Sequence, residues 1–301
     1  MDVLRHDGEP VRLDRFLVER LSVTRGEARR AITAGRVLVD GRVVAKNAEL
    51  IQAGTVVEVA GPVASASLPV LPDDGEIEIL HEGDGWLAIN KRAGQPVHPL
   101  REGETGTVLN AVVGLRPEVQ GVGESGLRSG IVHRLDVGTS GVLLVAWKQQ
   151  AWELLREAFK TRAIVKRYLA LVEGALEGEG RWEMDLRVAG HQPARVLAEP
   201  VSERPHRESR RCDLVYRSLE VGRHTTRVEV DLGTGFLHQI RAMMSAKRHP
   251  VVGDKLYGAR LMTRGRPMLH AAVVEVDGVR IEASLPADYL DVMDRLGFAT
   301  R

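Results

Sequence analysis

The chain has 301 residues, 44% of them hydrophobic and 28% charged, with a net charge of +1. That length suits one or two ordinary globular domains, and no apolar run reaches the roughly 18 residues of a membrane-spanning helix. The charged start Met1-Asp2-Val3-Leu4-Arg5-His6-Asp7 lacks the apolar core of a secretory signal, and the lone Cys212 excludes an internal disulfide or a cysteine-rich zinc site. A cytoplasmic monomer is expected.

Residues 1–60 are predicted to form a first domain. Leu13, Phe16, Leu17 and Leu21 recur at helical spacing. A second helix is expected to start at Thr24 as N-cap, with Glu27 at the capping-box position, and to end at Gly35. Ala28, Ala31 and Ile32 then face inward, while Arg25, Arg29 and Arg30 face outward. Asp40-Gly41 reads as a hairpin turn between Val37-Leu38-Val39 and Arg42-Val43-Val44, and Val56 to Val59 as a further strand. Between Val11 and Asn47 nine basic residues, among them Arg12, Arg15 and Arg36, face four acidic ones. Such a local excess suits a polyanion-binding patch.

Residues 61–75 are small and proline-rich and read as a linker. A second domain is expected over 76–301, with strands at Ile77–Leu80, Trp86–Asn90, Gly141–Ala146, Tyr168–Glu173, Arg227–Leu232 and Val273–Val276, and a helix over Ala151–Lys160. Strands and helices do not alternate strictly, so the fold class is α+β: a mixed, mainly antiparallel sheet with flanking helices, preceded by a small α/β module. Gly130-Ile131-Val132-His133-Arg134-Leu135-Asp136-Val137-Gly138-Thr139-Ser140-Gly141 is a polar cluster between apolar runs. This sets Asp136 on a loop at the mouth of the sheet, where a side chain can meet a ligand. The histidines lack partners at zinc-ligand spacing, so no metal is expected.

Two resemblances sharpen these readings. Arg12-Leu13-Asp14, the Arg25/Arg29/Arg30 helix and Gly35-Arg36-Val37-x-Val39-Asp40-Gly41 resemble the S-four-type RNA-binding domain. The Asp136 stretch resembles the catalytic motif of RluA-type pseudouridine synthases, His-Arg-Leu-Asp-x-x-Thr-Ser-Gly. Three more pieces follow that family in order. They are Asn90-Lys91-Arg92-Ala93-Gly94-Gln95-Pro96-Val97-His98-Pro99, Lys166-Arg167-Tyr168-Leu169, and Thr234-Gly235-Phe236-Leu237-His238-Gln239-Ile240-Arg241 with His249-Pro250-x-x-Gly253-Asp254-x-x-Tyr257-Gly258.

The resemblance implies a cofactor-free isomerase that turns uridine into pseudouridine in structured RNA, with large-subunit ribosomal RNA as the target. It makes Asp136 the nucleophile, toward C1′ of the ribose or C6 of the base, and Arg241 its ionic partner. Tyr168 would pack on the flipped uracil and assist removal of its C5 proton. Ile240 would complete the pocket wall, Arg134 would fill the vacated stack, and His133 would orient the loop beside the pocket. His238 and Gln239 fall in the same pocket motif. Lys91 and Arg92 join Arg12, Arg15, Arg25, Arg29, Arg30 and Arg36 as expected RNA contacts. The chain departs from the family at Val137-Gly138, where a charged pair is usual, and at Phe236-Leu237, where Arg-Thr is usual. A binding protein without activity and an aspartyl-nucleophile hydrolase are the competing readings.

Overall fold

Apolar side chains gather into separate cores, and the chain divides into units Met1–Pro69 and Val70–Arg301. The computed structural model describes residues 2–21, 23, 25–61, 69–124, 126–191, 193–263 and 265–299, without the side chains of residues 25, 26, 30 and 191. The expected Thr24 cap and the side chains of Arg25 and Arg30 lie outside that set. Among the described residues no helix is long and apolar enough to cross a membrane.

The first unit runs β1 (Asp2–Arg5), β2 (Val11–Arg12), α1 (Leu13–Leu21), α2 (Arg25–Thr33), β3 (Val37–Val39), β4 (Arg42–Val43), β5 (Leu50–Ile51) and β6 (Val56–Val59). Leu13, Phe16 and Leu17 of α1 pack with Ala28, Ala31 and Ile32 of α2 over β3 and β6. The helix end matches the sequence. The N–H of Gly35 donates to Ile32 and that of Arg36 to Ala31, with Gly35 at φ +69, so the last carbonyls of α2 are satisfied by a Schellman motif. Asp40 (φ 49) and Gly41 (φ 76) both take the left-handed region that a two-residue hairpin turn demands. Asp14 is fully buried and draws in two arginines, Arg12 at 2.9 Å and Arg29 at 3.3 Å, each of which stays near half exposed. Arg15 pairs with Glu19 on the surface.

The second unit continues with β7 (Ile79–Gly83), β8 (Trp86–Lys91), α3 (Val108–Leu115), β9 (Ser140–Ala146), α4 (Gln149–Lys160), β10 (Val165–Glu173), β11 (Glu179–His191), β12 (Ala194–Pro200), β13 (Arg210–Val221), β14 (Thr225–Leu232), α5 (Gln239–Ala246), β15 (Leu269–Val276), β16 (Val279–Glu282) and α6 (Ala287–Arg295). Its ten-stranded sheet has the order β12-β11-β13-β14-β10-β15-β9-β8-β7, with β16 beside β15. Every pairing is antiparallel except β9 with β15. The mixed, mainly antiparallel sheet expected from the sequence is what forms.

Helices cover both faces. Leu143 and Val145 of β9 join the cluster with α3 and α5, while Val142, Leu144 and Ala146 join the cluster with α4. This two-sided burial explains why the run after Asp136 is apolar without alternation.

Three expectations change. The segment 70–75 is no linker: Val70 is 1% exposed in the core and exchanges backbone hydrogen bonds with the Gln120 amide. Asp73 caps the N–H groups of Gly75 and Gly106. The first strand runs over Ile79–Gly83 rather than Ile77–Leu80, with a register shift between Ile79 and His81. The long strands β11 to β13 fall where no strand is predicted. Along β11 Trp182, Met184, Leu186 and Val188 face the core and alternate with Glu183, Asp185 and Arg187, a period-two strand pattern present in the sequence.

Candidate active site

Asp136 sits in a four-residue turn closed by the N–H of Thr139 on its carbonyl, immediately before β9. Gly141 explains the end of the motif. Its φ is +113, and a Cβ there would lie 2.1 Å from the carbonyl oxygen of Ala271, so only glycine lets β9 run this close to β15. The turn is thereby delivered to the sheet between β8 and β15, with the Asp136 carboxylate 20% exposed.

Arg241, in the first turn of α5, reaches that carboxylate: Nη1 donates to Asp136 Oδ2 at 3.0 Å. Its other two donors are fixed by the buried Asp254, Nε to Oδ2 at 2.6 Å and Nη2 to Oδ1 at 3.0 Å. The guanidinium also lies 5.1 Å over the Tyr257 ring. Burial opposes its charge, but the bonds and charges of Asp254 and Asp136 outweigh that and hold its pKa above the ordinary value. Arg241 is therefore a permanent cation aimed at Asp136 by a second carboxylate.

Tyr168 in β10 and Ile240 in α5 pack in the same core cluster, 8% and 3% exposed. Burial, and next the charge of Asp136, push the Tyr168 phenol upward, so it stays protonated at neutral pH. Its hydroxyl has no hydrogen-bond partner among the described residues. His238 caps α5 in the left-handed conformation, φ 50, and its Nε2 lies 3.9 Å from Asp136 Oδ1. The Tyr257 hydroxyl, which accepts the N–H of Val196 at 2.9 Å, has its own proton left for His238 Nδ1 at 3.0 Å. This network assigns the imidazole proton to Nε2, facing the carboxylate. Burial lowers the pKa of His238, against the pull of Asp136, and keeps it neutral.

Four expected site residues do other work. His133 points to the opposite face of the sheet, its ring 4.6 Å from Phe159 of α4 and its Nε2 accepting the N–H of Leu144 at 2.9 Å. These contacts tie it to β9 and α4, on the face away from Arg241 and Tyr168. Gln239 is 2% exposed and spent on Thr234, Phe236 and the Asp213 carbonyl, so it shapes the preceding loop instead of meeting substrate. Lys91 is 1% exposed and gives its ammonium to the carbonyls of Arg92, Gln95 and Val137, which leaves nothing for a phosphate. Arg92 is exposed but paired with Glu76. Arg134 is exposed beside Asp136. A cavity of about 440 Å³ lined by Asn90, Lys91, Arg92, Ser140 and Asp288 opens next to this turn, apart from Asp136, Tyr168 and Arg241.

Burial of imidazoles makes this unit acid-sensitive, and His98 and His133 carry the largest shifts among them. Burial, then Arg128 and Arg134, bring His98 to about 4; burial, then Lys166 and Arg156, bring His133 to about 3. Unfolded histidines take up protons near 6.5, so between that pH and the folded values the unfolded state binds more protons and stability falls with acidification. At about 1.4 kcal/mol per pKa unit, each group withdraws up to about 3 kcal/mol by pH 4. Urea unfolding at pH 7, 5 and 4 checks this: His133→Gln should show a flatter decline than the wild type. Equal slopes would remove His133 as a source of acid sensitivity.

Comparison with known proteins gives the family. The RNA pseudouridylate synthase family model matches residues 85–246, and the S4 domain model matches residues 11–57. The chain is 32% identical over 306 residues to ribosomal large subunit pseudouridine synthase D of Yersinia pestis, covering 95% of this chain and 90% of that protein. It is 36% identical to an uncharacterized RNA pseudouridine synthase of Mycobacterium bovis, covering 92% of each. Among solved structures, human RNA pseudouridylate synthase domain containing 4 shares the fold, with a TM-score of 0.60, 23% identity and coverage of 73% of this chain and 92% of that one. An acid at the sheet mouth held by a twice-bonded arginine, together with these matches along nearly the whole sequence, makes the chain a member of the RluA-type RNA pseudouridine synthases with an S4 RNA-binding domain ahead of the catalytic unit.

Proposed function

We propose that this enzyme isomerises uridine in large-subunit ribosomal RNA, with Asp136 as nucleophile acting on a base flipped out of its stack. The observation that carries the reading is the 3.0 Å contact of Asp136 with an arginine whose other two nitrogens are bonded to Asp254. The ribosomal target follows the names of relatives such as the large subunit synthases of Yersinia pestis and Xylella fastidiosa. The basic first unit would grip RNA through phosphate and shape, with Arg12 and Arg29 presented on the buried Asp14.

The reaction needs no redox partner. The N1–C1′ bond breaks, the uracil turns, C5 bonds to C1′, the C5 proton leaves and N1 gains one. A covalent bond from the Asp136 carboxylate holds one of the two parts while the other reorients. Arg241 neutralises the carboxylate whenever it is free. Tyr168 supplies an apolar wall, and its protonated phenol can pass on the C5 proton only by yielding its own at the same moment. Asp136, freed when the covalent bond breaks, is the base that would accept it. His238 presents an N–H to the second carboxylate oxygen.

Mapping pseudouridines in ribosomal and transfer RNA from cells with and without the protein tests the reading. Loss of one or more sites in large-subunit RNA alone is the expected result. Loss confined to transfer RNA overturns the target.

A further inference from the structure

Arg266, which no motif marks, lies 7% exposed beneath the turn that carries Asp136. Its Nη1 faces three oxygens, the Gly138 carbonyl at 3.3 Å, Ser140 Oγ at 3.4 Å and the Leu269 carbonyl at 3.4 Å. Its Nε and Nη2 make a bidentate pair with Asp288 at the start of α6, at 2.5 and 2.9 Å. Ser140 is fixed in turn, because His270 gives its Nε2 proton to the Ala283 carbonyl at 3.0 Å and Nδ1 is left to accept the Ser140 hydroxyl at 2.8 Å. The turn is packed as closely as it is bonded. A Cβ on Gly138 would lie 3.0 Å from the Pro267 ring, and one on Gly253, the residue before Asp254, would lie 2.3 Å from the Arg266 carbonyl oxygen. One residue thus touches both the turn bearing Asp136 and the loop whose carboxylate aims Arg241.

We propose that Arg266 is a positioning residue that fixes the distance between Asp136 and Arg241, and that Asp288 of α6 is what holds Arg266 in place. The proposal rests on Asp136 being the nucleophile. Lys91 secures the neighbouring Val137 carbonyl at 3.2 Å, so the carbonyls of the two residues after Asp136 are each held by a buried cation from a different part of the fold. Such a turn cannot tilt without breaking charge-assisted bonds. Because a misplacement of about 1 Å costs on the order of 10²-fold in rate, the contribution is in the chemical step and not in RNA binding.

The test is single-turnover tritium release from RNA labelled at uridine C5, using total RNA from cells lacking the protein, with RNA affinity and thermal unfolding measured on the same variants. Arg266→Ala should slow release about 10²-fold, and Arg266→Lys should recover part of that. Asp288→Asn, made on a half-exposed carboxylate, should slow release several-fold while RNA affinity stays within about twofold and the melting temperature within about 2 °C. The double variant should be no slower than Arg266→Ala alone, since the two residues act as one device. Wild-type release from both Arg266→Lys and Asp288→Asn overturns the proposal, and so do rate losses that match losses of affinity or melting temperature in every variant. An Asp136→Asn protein that still releases tritium takes down the nucleophile reading instead.

Discussion

Asp136→Asn should abolish pseudouridine formation, by at least about 10⁴-fold, while leaving fold and RNA affinity in place. The substitution keeps the shape of the side chain and an oxygen that can accept the Arg241 Nη1 bond. The guanidinium is not stranded either, because Asp254 keeps the other two donors. What disappears is the negative charge that makes the oxygen a competent nucleophile, since a neutral amide oxygen attacks far more weakly than a carboxylate. Single-turnover kinetics with binding measured in parallel give the expected signature of a collapsed rate constant and an unchanged dissociation constant. Residual turnover within about tenfold of wild type would leave Asp136 as an electrostatic or structural group. Release of free uracil by the wild type would point to hydrolysis in place of isomerisation.

The position of the candidate site at the sheet mouth was legible in the sequence, because a polar cluster between two apolar runs has few places to go in a folded chain. Asp136, the hairpin at Asp40-Gly41 and the end of α2 at Gly35 all follow from local rules that act within a few residues. Partnerships are another matter. Arg241 is 105 residues from Asp136 and Val137 is 46 from Lys91, and no periodicity encodes such contacts. The Arg241 pairing was reachable only through family resemblance.

Lys91 departs from expectation for a physical reason: beside Arg92 in a loop its sequence suggests a surface cation, yet it is buried. Three backbone carbonyls converge on it and make burial tolerable, though burial, only partly offset by Asp136, still draws its pKa down to about 8. His133 shares the motif with Asp136 but not its direction, since the chain approaching β9 places the ring on the α4 face. Asp254, Tyr257 and Arg266 carried no assigned role, although the first two stand in a motif whose spacing from Arg241 was visible. An aspartate three residues before a tyrosine, downstream of the Arg241 motif, is the sequence signal that could have found Asp254 and Tyr257; Arg266 has none.

Asp254→Ala should destabilise the catalytic unit by about 3–5 kcal/mol, the usual penalty for stripping the partner from a buried charge. Asp254 is 1% exposed and both its oxygens are committed to Arg241. Without it the guanidinium keeps one carboxylate, Asp136, and the favourable response is to turn and engage both Asp136 oxygens. The variant should then lose activity as well as stability, because both Asp136 oxygens are tied up by the guanidinium. In a unit of this size the melting temperature should drop by roughly 6–20 °C. Asp254→Asn, which keeps one acceptor and the packing, should fall between this variant and the wild type in both measures. Melting curves with parallel rate assays decide it. A wild-type melting temperature for Asp254→Ala would mean that water or Asp136 alone satisfies Arg241, and the buried carboxylate would then have no part in aiming it.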